Sequence, residues 1–196
     1  MSPFRTAVLR LLLCLPALLP SACFIPLVSP PSRMDFGAAH DFGADDLTAF
    51  HYAIGLHTGS LDPEALPKSD VFDLGAGFVI DADANGARSK GFYGGVDWFP
   101  VRRTSVRLGT GIRGEALTKG PNWGSGAFAR VSGELFMSGH GTGSGCSFML
   151  WRGAVGTAIF VEAGGQHLAD GRDAFVATAG LSLRLPAMVG LLSTRC

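Results

Sequence analysis

The sequence predicts an all-β protein, an antiparallel up-and-down β-barrel of about eight strands within residues 34–196. Three observations carry that prediction. Stretches of 9 to 14 residues alternate apolar with small or polar side chains, and turn-rich segments such as DADANGARSK and LTKGPNWGS separate them. No segment carries the 3.6-residue apolar stripe of an amphipathic helix. Glycine supplies 28 of the 196 residues, without a Gly-X-Y period, about twice the usual ~7% share.

The elements follow in chain order. Arg5 and Arg10 precede an apolar stretch from Leu11 to Leu19 and then small residues, the layout of a secretory signal peptide over residues 1–22. That stretch falls short of the ~20 apolar residues of a spanning helix, and no later run approaches it. The segment LLPSAC, residues 18–23, resembles a bacterial lipoprotein processing site: Ser21, Ala22 and Cys23 fit, while Pro20 stands where the family has Leu. The resemblance implies that Cys23 becomes the lipidated first residue. Phe24 in place of Asp implies sorting to the outer membrane. Ordinary signal cleavage, leaving Cys23 a thiol, is the alternative. Residues 23–33, rich in Pro and Ser, read as an extended tether.

Eight alternating stretches come next. Met34, Phe36, Ala38 and Phe42 oppose Asp35, Gly37, Ala39 and Asp41, and Phe50, Tyr52, Ile54 and Leu56 oppose His51, Ala53, Gly55 and His57. Over residues 69–82, Phe72, Leu74, Ala76, Phe78 and Ile80 oppose Asp73, Gly75, Gly77, Val79 and Asp81. Phe92, Val96 and Trp98 oppose Tyr93, Gly95 and Asp97; Val106, Leu108, Thr110 and Ile112 oppose Arg107, Gly109, Gly111, Arg113 and Glu115. Residues 127–137 set Ala129, Val131 and Leu135 against Arg130, Ser132 and Glu134, and residues 151–165 set Val155, Thr157, Ile159 and Val161 against Arg152, Gly156, Phe160 and Glu162. The last, AFVATAGLSLRLP, alternates strictly between Phe175 and Leu185, with Arg184 on its small, polar face.

The polar faces decide which side is wet. A water-facing strand surface carries long polar side chains, yet Lys68, Lys90 and Lys119, the only lysines, fall in turns. Gly, Ala and Ser interspersed with Arg, Asp and Glu suit a narrow closed lumen, where small residues let the far wall approach and paired charges fill the rest. Unpaired, such charges would be costly inside. Arg107, Arg113, Arg130, Arg152 and Arg184 are therefore expected to meet Asp73, Asp81, Asp97, Glu115, Glu134 and Glu162, with the apolar faces on lipid.

Thr178, Gly180, Leu183 and Leu185 resemble the last-strand signal by which bacterial outer-membrane barrels are recognised, although residues 186–196 continue past it. The resemblance implies barrel-assembly machinery and outer-membrane lipid as partners. Bacterial barrels of this kind have an even strand count and short periplasmic turns. Taking the link at residues 99–103 as periplasmic places both chain ends, Cys146 and Cys196 on that side, so a Cys146–Cys196 disulfide is topologically allowed in an oxidising compartment.

No motif adds a reaction. Gly109 to Gly114 matches G-x-G-x-x-G but lies inside a strand without a following helix, and the Gly-rich residues 139–145 lack the Lys of a phosphate loop. His51 and His57 share one strand face about 20 Å apart, too far to ligate one metal together. Lysine and arginine total 16, as do aspartate and glutamate, so no basic stripe points to nucleic acid. No cofactor or metal is expected. The functional expectation is a structural or surface-interaction barrel of the outer membrane. A soluble lipocalin-like periplasmic barrel with apolar faces inward, holding an apolar ligand, is the alternative, and a lipid-modifying outer-membrane enzyme using His140 or His167 stands third.

Overall fold

The computed structural model describes residues 24–43, 48–58, 72–83, 86–103, 105–142, 147–168 and 171–193. They form ten strands: β1 (Phe24–Ser29), β2 (Ser32–Asp41), β3 (Thr48–His57), β4 (Phe72–Asp83), β5 (Gly86–Arg102), β6 (Val106–Lys119), β7 (Asn122–Thr142), β8 (Ser147–His167), β9 (Asp173–Leu185) and β10 (Ala187–Ser193). Strands β2 to β9 pair antiparallel with their sequence neighbours, and β9 pairs back onto β2 from Leu185↔Ser32 to Val176↔Asp41. The result is a closed, antiparallel, eight-stranded barrel, as the alternation predicts.

Period-2 alternation sends each strand's two residue sets to opposite faces. Phe72, Leu74, Phe78 and Ile80 of β4 lie outside, while Asp73 and Val79 are buried within. On β6, Leu108 and Ile112 are exposed, and Arg107, Arg113 and Glu115 are buried. Exposed aromatic side chains stand near both ends of the outer wall, Phe72 and Trp98 side by side on β4 and β5 at the end where β2 begins, and Phe50, Trp123 and Phe175 at the other.

Local sequence explains the links. Gly120, at φ 63°, opens the two-residue turn between β6 and β7 with Pro121 behind it, a backbone angle that glycine adopts without a Cβ clash. Residues 99–103, expected to be a link, are mostly strand. Phe99 and Pro100 together face Gly109, so the register slips between Trp98↔Thr110 and Val101↔Leu108. A bulge tolerates a proline that lacks a ladder N–H, and the actual link begins at Arg103. Lys90 likewise sits within β5, opposite Thr118, near the rim.

The segment read as a tether is also paired. β1 runs along β10 from Phe24↔Ser193 to Ser29↔Met188, and β10 runs along β8 from Ala187↔Arg152 to Leu192↔Ser147. Between Gly156↔Arg184 and Ala187↔Arg152, β8 has three residues where the β9–β10 line has two, a bulge in β8 opposite Leu185 and Pro186. Beyond it β1, β10 and the adjoining parts of β8 and β7 extend the wall past the rim as a four-stranded tongue. Its seven-residue β10 makes it about 20 Å long.

Candidate functional site: the ionic lumen

Each lumen charge sits on a strand's inward set, so the barrel circumference brings together residues far apart in sequence. Toward the tongue end, Glu134 of β7 accepts from Arg107 Nε at 2.6 Å and from Arg184 Nε at 2.7 Å. Arg184 Nη2 donates to Asp73 at 2.9 Å, and Arg33 Nη1 donates to Asp97 at 2.6 Å. The His57 ring bridges Asp73, at 3.1 Å, and the Tyr93 hydroxyl, at 3.0 Å. Arg184 is 2% exposed.

Asp35 is the hub at mid-height. It accepts from Arg33 Nε at 3.0 Å and from Arg130 Nη1 at 2.6 Å, and from the Ser182 hydroxyl across the barrel seam. Farther along, Arg113 Nη2 donates to Glu115 at 2.5 Å and to His51 Nε2 at 2.9 Å, and its Nη1 lies 3.4 Å from Glu162. The other ring nitrogen of His51, Nδ1, contacts Asp81 at 2.7 Å. Ser89 donates to the other Asp81 oxygen at 3.1 Å.

Aromatic rings fill the gaps between charges. Arg107 stacks 4.2 Å over Phe99 and Arg130 3.8 Å over Phe160, contacts that suit a weakly hydrated guanidinium. Gly109 makes room for Phe99, because a Cβ there would stand 2.6 Å from the ring. A cavity among Arg33, Asp35, His57, Tyr93 and Arg130 measures about 20 Å³, space for a single water. At the far end Ala39, Phe128, Ala174 and Val176 pack into an apolar plug. A second cavity of about 50 Å³ opens there beside Asp41, Asp81, Ser89 and Lys119.

Of the charges picked out from sequence, Asp73, Asp97, Arg107, Arg113, Glu115, Arg130, Glu134, Glu162 and Arg184 are buried in this lumen, with Asp81 partly buried at its far end. Arg152 is not among them. Its backbone pairs with Ala187 on the tongue, beyond the bulge that ends the β8–β9 ladder, and its side chain lies outside the described set. Arg33, Asp35, His51, His57 and Tyr93 complete the network. Strand parity was the available signal: Arg33 stands two residues before Asp35, on the same face, but lay inside the supposed tether.

Thr178 is buried in the lumen and Leu183 and Leu185 are half-buried on the opposite set of β9. Cys23, Cys146 and Cys196 lie outside the described residues. The described residues nearest to them, Phe24, Ser147 and Ser193, end together at the tip of the tongue. His140's side chain is likewise not described, and His167 pairs with Asp173 at 2.8 Å on the exposed rim. Among the described residues no group of three His, Cys, Asp or Glu side chains is arranged to hold a metal, and no helix is long and apolar enough to cross a membrane. No protein family, no curated protein and no solved structure matches the chain.

Proposed function

We propose that this chain is an outer-membrane β-barrel with a structural or surface-interaction role in the cell envelope, its lumen a fixed ionic filling. One observation carries the proposal: the faces are inverted relative to a water-soluble barrel. Side chains such as Phe78, Leu108, Ile112, Val131 and Ile159 cover the outside, while five arginines and their carboxylate partners occupy the inside. In water that outer wall would be one contiguous apolar patch, far beyond the few hundred Å² that soluble monomers expose. Against lipid it is the expected surface, and exposed aromatic residues stand near both ends, the levels at which such barrels carry interfacial aromatics.

The filled lumen argues against a pore, since an eight-stranded barrel has room for side chains and little more. The lipocalin-like alternative asks for apolar residues inside, whereas the interior here is ionic. Export through residues 1–22, acylation of Cys23, a Cys146–Cys196 bridge, and recognition of Thr178, Gly180, Leu183 and Leu185 by assembly machinery belong to the same proposal.

The test is fractionation in a Gram-negative host. A Cys23→Ser version carrying a strong cleavable signal is expected to stay in carbonate-washed outer membranes and to migrate differently on detergent gels before and after heating. Release of that version into the soluble fraction would overturn the membrane proposal.

A further inference from the structure

β1 is the outermost strand of the tongue, and among the described residues its neighbour is β10 alone. Two bonds, one just beyond β1 and one past the far end of β2, fix which of its backbone groups point outward. The Phe42 N–H donates to the Phe175 carbonyl on the β9 side at 2.9 Å, and the His57 N–H donates to the Pro31 carbonyl on the β3 side at 3.2 Å. Successive residues of a strand present N–H and C=O to alternate sides. The register of β1 and β2 against β10 and β9 keeps one alignment from Phe24↔Ser193 to Asp41↔Val176, so this alternation carries through. Even-numbered residues face β10, and Ile25, Leu27 and Ser29 turn N–H and C=O toward the opposite edge.

Natural sheets blunt such an edge with charge or with a proline whose missing N–H faces outward. Neither device is present on β1 itself: Pro26, and Pro30 just past it, are even-numbered and stand on the paired side, and the outward-facing Pro31 lies beyond the strand, where its carbonyl is already bonded by His57. Residues 24–32, FIPLVSPPS, and β10, AMVGLLS, contain no charged side chain. Val28 and Val189, opposite one another, are 71% and 57% exposed.

We propose that the outer edge of β1 accepts an extended, uncharged, apolar segment of a second protein as an added strand. Main-chain bonds from Ile25, Leu27 and Ser29 supply the affinity, and the uncharged surroundings select against a charged strand, which would lose hydration there without gaining a partner. A second copy of this chain paired antiparallel through the same edge is the wrong occupant. Antiparallel pairing of two β1 edges would place two barrels at opposite ends of the joined tongues, and one bilayer cannot hold both. That exclusion rests on the membrane proposal; the polarity of the edge does not.

The probe is the peptide KKAMVGLLSKK, the β10 sequence with solubilising lysines, added to the full chain in bicelles while amide exchange is followed residue by residue. Without peptide, the Ile25, Leu27 and Ser29 amides are expected to exchange at least tenfold faster than that of Val28; with it, they should slow at least tenfold. Leu27→Pro, which deletes an outward N–H, should abolish peptide binding, whereas Leu27→Ala should retain it. Outer-edge amides already protected without peptide, no slowing on its addition, or equal binding by Leu27→Pro would each overturn the inference. A chain that binds the peptide yet washes off membranes would sink the membrane proposal and leave the strand-accepting edge standing.

Discussion

Asp35 gathers Arg33, Arg130 and Ser182 around one carboxylate, and Arg113 lies 3.7 Å away. Removing one partner of a buried ion pair leaves the other charge uncompensated, which costs about 3–5 kcal/mol. Asp35→Asn should therefore lower unfolding stability by about that amount, read from the urea midpoint in micelles. Asp173→Asn, on the exposed pair with His167, should change it by about 1 kcal/mol or less. Gly109→Ala tests the fit of the filling: with a Cβ 2.6 Å from the Phe99 ring, overpacking should cost about 1–3 kcal/mol. Which residues face inward was legible from parity alone. Which charge meets which was not, because Arg130 and Asp35 are 95 positions apart and meet only across the closed barrel.

The barrel and the tongue are separable elements. Each of β2 to β9 has both neighbours within the ring of eight, whereas β1 and β10 pair only with each other and with the part of β8 that lies beyond the bulge. A chain ending at Pro186 should consequently still close, and the expected result is a heat-dependent gel shift like that of the full chain. Loss of the shift would show that the tongue is needed for closure. The eight wall strands were legible because one face of each is apolar and the other small or ionic, a pattern with a period of two. β1 and β10 were not. FIPLVS is apolar at successive positions and interrupted by Pro26, and AMVGLLS does not alternate cleanly, so their pairing follows from the strands beside them and not from local pattern. The bulge at Phe99–Pro100 was hidden for a related reason, since Pro100 reads as a turn until Gly109 is seen opposite it.

At the scale of the whole molecule, the charged interior and apolar exterior make opposite predictions for the same kind of substitution. Ile112, at mid-strand on β6 and 67% exposed, faces the bilayer in the proposed function. Arginine at the midplane of a lipid-facing wall costs about 2–4 kcal/mol, falling to about 0–1 near the interface. Ile112→Arg should accordingly reduce folding stability in bilayers by the larger amount, and Val106→Arg, at the first residue of β6, by the smaller. If the outer wall met water instead, both would be nearly neutral, because an exposed charge is well solvated there. Planar-bilayer recording supplies the complementary measurement. With Arg33, Asp35, Arg130 and Phe160 filling mid-lumen and Phe128 and Val176 plugging the far end, a dehydrated ion would have to displace bonded guanidinium and carboxylate groups to pass. The expected trace is silent. Steady conductance steps that survive in the version ending at Pro186 would mean that the ionic filling rearranges in the membrane, and the structural role would then give way to transport.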